Sequence, residues 1–281
     1  MKPKNIGFLH PGAMGISLAA TAQNSGHQAY WVSQNRSSDT CSRAEKHDLV
    51  AVETLQDLCK RCAIIISVCP PHAAIEVAAQ VEDCSFKGIF ADFNAISPQK
   101  VQRIGHSMCD SGIEFIDGGI IGPPAWRPDT TWLYLSGQAA SQVADCFKGG
   151  PLAVEVIGSE IGKASGLKMC FAANTKGTTA LLCAIIAAAE KMGVRQELEN
   201  QWSRNNSDFV EKTRERIRNA TPKAWRFSGE MEEISSTFQE AGLPGDFHLA
   251  ASDIYQRIAG FKNSSETPSI DDVLEALLKT E

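Results

Sequence analysis

Asn5-Ile6-Gly7-Phe8-Leu9 leads without a break into His10-Pro11-Gly12-Ala13-Met14-Gly15, and Leu18, Ala19, Ala20 and Ala22 follow. The first five residues form an apolar strand-like run, the next six a glycine turn, and the rest are good helix formers. A strand, a tight turn and a helix start is the arrangement that holds a dinucleotide pyrophosphate. Free N–H groups and the positive end of the helix dipole face the phosphates. In this reading Gly12, Ala13 and Met14 line the phosphates. Gly12 lets the backbone come close, and Gly15 lets the helix pack against the strand. His10 stands where the first glycine of G-x-G-x-x-G is usual. Taken alone, these residues also fit an ordinary turn before a core helix.

About 20 residues further on, where this fold places its ribose selector, Gln28-Ala29-Tyr30-Trp31-Val32 reads as the second strand. NAD-selective sites end that strand in Asp or Glu. Here Ser33 holds the position, Gln34-Asn35-Arg36-Ser37-Ser38 follows, and the first acid is Asp39. Arg36 can stack on adenine or grip a 2′-phosphate with its planar fork, aided by Ser33, Asn35 and Ser37. The expected cofactor is NADP(H) rather than NAD(H), against the alternative of a solvated polar loop with one surface arginine.

Working outward, 281 residues exceed the usual size of one compact domain. The formal charge of −6, from 33 acids and 27 bases, gives no basic footprint for nucleic acid. Met1-Lys2-Pro3-Lys4 runs straight into a strand without an apolar signal segment. The apolar run from Ala180 to Ala189 is too short to cross a bilayer, so no membrane partner is expected. Nine scattered cysteines point to buried thiols in a reducing, cytoplasmic setting. The Cys59-x-x-Cys62 pair has no second pair at matching spacing, so no metal is expected.

Through residue 158 short apolar runs alternate with helical stretches. Leu49–Val52, Ala63–Val68, Ile89–Asp92, Phe115–Asp117, Trp132–Leu135 and Val154–Ile157 read as strands. Uninterrupted apolar strands imply helices on both faces, hence an α/β, doubly wound, largely parallel Rossmann-like domain over 1–158. From 159 to 281 the alternation disappears, and an all-α domain is expected for substrate binding and dimerisation. It opens with an apolar helix over Ala164–Met192, followed by helices around 196–219, 222–241, 246–260 and 270–279. A substrate cleft is expected between the domains, at the carboxyl ends of the strands.

Lys168 is the sharpest chemical candidate, because it sits in the first turns of an almost wholly apolar helix. Desolvation in a cleft would bring a lysine towards the operating pH, as a general acid–base requires; snorkelling to an edge is the alternative. At about 100° per residue, Thr175 and Thr179 share its face. Three loops at strand ends complete the candidates. Cys69-Pro70-Pro71-His72 is a rigid turn for the nicotinamide ribose. Asn94 follows Asp92 and is offered to cofactor or to a substrate carboxylate. Asp117-Gly118-Gly119-Ile120-Ile121-Gly122-Pro123-Pro124 is a loop in which Gly119, Ile121, Gly122 and Pro123 meet the substrate closely. Each loop alone also fits plain turn chemistry. His248 and the Trp225-Arg226 pair are further candidates for the substrate site, with packing the commoner role for His248. Glu230 to Glu233 reads as a helix face.

The order of these segments resembles the β-hydroxyacid dehydrogenases and 6-phosphogluconate dehydrogenase-like proteins over essentially the whole chain. Gly7–Gly15 is similar to the family fingerprint with its Met-Gly ending, and Asn35-Arg36-Ser37 to its NADP-type loop. Asp117–Pro123 is similar to its glycine-rich substrate loop, and Gly162–Lys168 to the segment ending in its catalytic lysine. Lys223–Arg226, Glu230–Glu233 and Gly242-Leu243-Pro244 resemble a branch with its own C-terminal helical domain. Departures are His10 for the first glycine, Asn94-Ala95 for the Ser-Thr substrate pair, and Ala172 for the substrate Asn after the lysine. The resemblance implies a homodimer and hydride transfer between NADP(H) and a small hydroxy acid, aldehyde or ketone, with Lys168 as acid–base. Imine reduction and NADP(H) binding without turnover are the alternatives.

Overall fold

The computed structural model describes residues 2–262, 264 and 266–279. The chain divides into two compact units, Met1–Lys168 and Met169–Glu281. In the first, strands and helices alternate: β1 (Asn5–Phe8), α1 (Ala13–Asn24), β2 (Gln28–Val32), α2 (Ser38–Lys46), β3 (Val50–Val52), α3 (Leu55–Arg61), β4 (Ile64–Ser67), α4 (Ala74–Asp83), β5 (Ile89–Asp92), α5 (Pro98–Asp110), β6 (Glu114–Ile121), β7 (Trp132–Ser136), α6 (Ala140–Ala144) and β8 (Ala153–Gly158). They form one sheet in the order β3-β2-β1-β4-β5-β6-β7-β8. All neighbours run parallel except β6 and β7. The chain reverses direction in the sheet after β1 and its neighbours, which leaves the carboxyl ends of β1 and β4 at a topological switch point.

The side chains show why the sheet is covered twice. Along β4, Ile64 and Ile66 belong to one buried cluster and Ile65 to the other. Ile89 and Ala91 of β5 face the first cluster and Phe90 the second. A strand whose successive residues are all apolar presents an apolar row on each face and is stable only between two covering layers. Each fully buried Ile or Phe contributes about 1.5–3 kcal/mol.

The first unit runs ten residues past the boundary expected at 158, because Asp117 fastens the start of the next helix to the sheet. That helix is α7 (Lys163–Ala172), which continues through a π-helical turn (Ala173–Gly177) into α8 (Thr178–Lys191). The whole stretch of 29 residues is long and apolar enough to cross a membrane by length and composition, which the ten-residue run used in the sequence reading is not. Its first turn is hydrogen-bonded to Asp117, so we read it as a helix of the fold.

The second unit continues with α9 (Arg195–Asn205), α10 (Phe209–Ala220), α11 (Ala224–Glu240), α12 (Asp246–Arg257) and α13 (Ile270–Leu278). The helix expected over 196–219 is two helices. Asn206-Ser207-Asp208 breaks it, and the Asn206 side chain accepts a hydrogen bond from the Asp208 N–H. All nine cysteines are free thiols. Burial pushes the Cys59 and Cys62 thiols up to about 12.

Candidate functional site

Two groups of residues gather at the carboxyl ends of the strands. The first surrounds the turn between β1 and α1. Gly12 is the N-cap of α1 and offers no side-chain hydrogen bond, so the first-turn N–H groups await another acceptor. A Cβ added to Gly12 would meet nothing within 4 Å, whereas one added to Gly15 would strike the His10 carbonyl oxygen. Gly15 is therefore required by the turn itself rather than by the strand, and the space over Gly12 is open. Ala13 is exposed and Met14 half-buried beside it.

Two arginines grip this turn. Arg36 donates from Nε to the Val32 carbonyl at 3.3 Å and from Nη2 to the Leu9 carbonyl at 3.2 Å. Arg43, which the sequence reading passed over, donates to the Pro11 carbonyl at 3.2 Å. Its only sequence signal was a basic residue on the α2 face turned to the glycine turn. Asn35 adopts a left-handed backbone (φ 59°), which carries Arg36 back over the strand ends. Ser37 caps α2 by accepting from the Thr40 N–H. Ser33 differs from expectation, since its hydroxyl donates to the Val52 carbonyl at 3.1 Å. The half-buried His10 ring has a buried Nδ1 without a hydrogen-bond partner. Burial, then the Arg36 charge, lowers its pKa to about 4, so the ring is neutral at pH 7. An open glycine cap beside two guanidinium groups fits a dinucleotide.

The second group surrounds the ends of β5 and β6. Asp92 and Asp117 pair in register, and both side chains are buried. Asp117 accepts from the Ser165 Oγ (2.6 Å), the Gly162 N–H (2.9 Å), the Ser165 N–H (3.1 Å) and the Ser136 Oγ (3.0 Å). Burial raises its pKa and these donors lower it. Asp117 thus anchors the N-terminal turn of α7, where the helix dipole also favours negative charge. Lys168 follows one turn later and is half-buried. A Cβ on Gly119 would lie 2.6 Å from the Ala164 carbonyl oxygen and 3.2 Å from the Lys168 Cβ.

These contacts correct two expectations. Most of the supposed glycine loop is strand β6, and Gly119 makes room for the lysine helix rather than for a ligand. Ile121 ends the strand half-buried, and Gly122 and Pro123 follow it exposed. Asn94 is 2% exposed and its amide is spent inside the protein. Its Oδ1 accepts from the Cys69 N–H at 2.6 Å, and its Nδ2 donates to the Ser67 Oγ and the Asp92 carboxylate at 3.1 and 2.9 Å. It holds the Cys69-Pro70-Pro71 turn, of which Pro70 is exposed and Pro71 half-buried.

Thr175 and His248 lie in the second unit. The π turn contains Thr175 and accommodates i→i+5 bonding, so a phase count at α-helical pitch from Lys168 fails beyond it. Thr175 donates to the Phe171 carbonyl, and Arg216 donates to the Thr175 carbonyl at 2.5 Å and to the Thr179 hydroxyl at 2.6 Å. His248 is buried against Phe238, ring centroids 4.4 Å apart, and burial lowers its pKa. It packs. Trp225 is exposed beneath the Lys262 ammonium, 3.8 Å from the ring centroid. The Glu230–Glu233 cluster lies on α11, and Glu230, Met231 and Glu233 are buried. Glu230 is paired with Lys176, whose ammonium also lies 4.9 Å from the Phe227 centroid.

Residues 5–145 match the NAD binding domain of 6-phosphogluconate dehydrogenase, and 189–258 match a domain of unknown function. An uncharacterized 28.5 kDa protein from the 7S RNA 5′ region of Methanothermus fervidus is 31% identical over 193 residues, covering 69% of this chain and 74% of that one. The mitochondrial 3-hydroxyisobutyrate dehydrogenase of Drosophila melanogaster is 24% identical, over 70% of this chain and 60% of its own. Among solved structures, a conserved protein of unknown function described as similar to 3-hydroxyacid dehydrogenases is 25% identical with TM-score 0.67, covering 90% and 97% of the two chains. The 3-hydroxyisobutyrate dehydrogenase of Mycobacterium tuberculosis shares the fold at 16% identity and TM-score 0.71, over 99% and 100%. An imine reductase of Bacillus cereus does so at 17% and 0.55, over 99% and 100%.

Proposed function

The chain belongs to the β-hydroxyacid dehydrogenase and 6-phosphogluconate dehydrogenase-like superfamily, and on that premise we propose that it is an NADP(H)-dependent oxidoreductase acting on a small hydroxy acid, aldehyde or ketone, with Lys168 as general acid and base. The observation that carries this reading is the placement of Lys168. Its helix is fastened through Asp117 to the end of β6 and pressed against Gly119, in the same unit as the open glycine turn.

The first-turn amides of α1 and the space over Gly12 would hold the pyrophosphate. Arg36 and Arg43 would turn to the adenosine 2′-phosphate, with Asn35 and Ser37 beside them. The Cys69-Pro70-Pro71 turn, braced by Asn94, would border the nicotinamide ribose. Bound NADPH supplies the hydride. In reduction the Lys168 ammonium donates a proton to the substrate oxygen and stabilises the charge developing there; in oxidation the neutral amine accepts the hydroxyl proton. A substrate panel followed by NADPH absorbance, repeated with Lys168→Ala and Lys168→Met, tests this. Both variants should lower kcat by about 10²–10⁴-fold. Near-normal turnover in Lys168→Met, which keeps the apolar stem, would reduce the lysine to a packing residue.

Imine reduction is the second reading, because Ala172 stands where an Asn that binds the hydroxy acid is usual, while the retained Lys168 weighs towards carbonyl chemistry. Turnover of cyclic imines without turnover of carbonyls would select it. Tight NADPH binding without turnover across the panel would select a non-catalytic binding role.

The second unit exposes the apolar side chains of Leu181, Met192, Val194, Leu243, Phe247 and Leu249. This supports a homodimer through the helical unit, for which light scattering should return twice the 30.4 kDa of one chain. A monomer mass at micromolar concentration would contradict it. Nine free thiols support a reducing, cytoplasmic setting.

A further inference from the structure

The two buried acids at the ends of β5 and β6 are not served alike. An ionised carboxylate offers about four acceptor sites. Asp117 receives four donors, all from the start of α7 and the end of β7, so its capacity is spent on holding the helix. Asp92 is fully buried and accepts from the Asn94 N–H and Nδ2, at 2.9 Å each. Asp92 stands in register with Asp117, on the strand ends to which α7 is fastened and near which Lys168 packs at Gly119. The Asp117 charge raises its pKa, the Lys168 charge lowers it, and its own charge raises the Cys69 thiol. Burial pushes that thiol up to about 12, so it is neutral at pH 7. Lys168 is then the one cation among these neighbours, set against two carboxylates of which one is already saturated.

We propose that Asp92 is a positioning residue that sets the charge state of Lys168. Ionised, it stabilises the lysine as the ammonium needed to donate a proton. Protonated, it withdraws one negative charge from the surroundings of that ammonium and eases release of the lysine proton. Burial, opposed by the Asn94 hydrogen bonds and the Lys168 charge, places the Asp92 pKa at about 7, where such a change of state takes place near neutral pH. Asn94 gains a purpose in this arrangement. Its two donations to Asp92 fix the carboxylate, while its carbonyl grips the Cys69 turn. The inference rests on Lys168 being the acid–base group, but its test needs neither substrate nor cofactor.

Lysines of the intact protein would be reductively methylated with ¹³C-formaldehyde and the Lys168 signal, assigned by its loss in Lys168→Met, followed by NMR against pH. Wild type should show the Lys168 titration together with a smaller inflection near pH 7 from Asp92. Asp92→Asn should remove that inflection and lower the Lys168 midpoint by about one pH unit or more. Asp92→Glu should restore part of the midpoint. An unchanged midpoint in Asp92→Asn would overturn the proposal. Should that variant fail to fold, a wild-type Lys168 signal with no inflection between pH 6 and pH 8 would overturn it equally. Loss of turnover in Lys168→Met with no coupling to Asp92 would leave the proposed function standing and remove this inference alone.

Discussion

The two ends of one sheet carry opposite electrostatic designs. Around the β1–α1 turn the fixed charges are cations, Arg36 and Arg43, holding backbone carbonyls, and the histidine among them is kept neutral. At the ends of β5 and β6 the ionisable groups are buried acids, Asp92 and Asp117, and the Lys168 charge acts on Asp92. Half-buried cations beside the turn, Arg36 on its loop and Arg43 on α2, suit a polyanionic ligand whose charge they can neutralise when it arrives. Buried acids suit a proton-handling lysine, because a charge in low dielectric acts strongly on its neighbour. In the proposed function, binding and chemistry are therefore separated along the sheet, and the separation can be attacked from either side.

The largest effect expected is at Asp117. Asp117→Ala strands four buried donors at about 1–3 kcal/mol each, so the first unit should lose at least about 4 kcal/mol. Urea unfolding followed by the sheet signal checks this, and a loss below about 1 kcal/mol would mean that Asp117 does not anchor α7.

The pH profiles of the two ends should slope in opposite directions. Asp92 has its pKa raised from 3.8 to about 7, so the unfolded chain binds fewer protons between these values and stability falls as pH rises. Relative to wild type, Asp92→Asn should gain about 4 kcal/mol from pH 4 to pH 7. His10 has its pKa lowered from 6.5 to about 4, so here the unfolded chain binds more protons and stability falls as pH drops. His10→Gln should gain about 3 kcal/mol on going from pH 6.5 to pH 4. Denaturant titrations at four pH values would decide, and parallel difference profiles would erase the contrast.

The smallest effect concerns cofactor choice. NADPH should bind at least about tenfold more tightly than NADH, about 1.4 kcal/mol, and Arg36→Ala should remove most of that preference. Equal wild-type affinities by fluorescence titration would refute the assignment.

The cation end was more legible in the sequence than the acid end. Gly12, Gly15 and Arg36 are local: strand, turn and helix follow one another within a few residues, so spacing alone predicts their neighbourhood. At the acid end the decisive contacts span long separations, such as Asp117 to Ser165 and Asn94 to Cys69. Spacing suggested that Asn94 and Gly119 meet a ligand, whereas the fold consumes the amide internally and sets the glycine against α7. The helical phase from Lys168 to Thr175 failed for a local reason, the π turn, whose only hint was a Gly and three β-branched threonines within a helix-forming stretch. The buried Lys176–Glu230 pair was illegible because a charge pair and a solvated helix face look alike until a partner element is known.

The separation of binding from chemistry is tested most directly by one crossed measurement, NADPH affinity and kcat determined together for Lys168→Met and Arg36→Ala. The account predicts that Lys168→Met lowers kcat by about 10²–10⁴-fold with NADPH affinity within about twofold of wild type, while Arg36→Ala loses about tenfold in NADPH affinity and keeps its kcat at saturation. A Lys168→Met protein that turns over normally, or one whose main defect is NADPH binding, would contradict it.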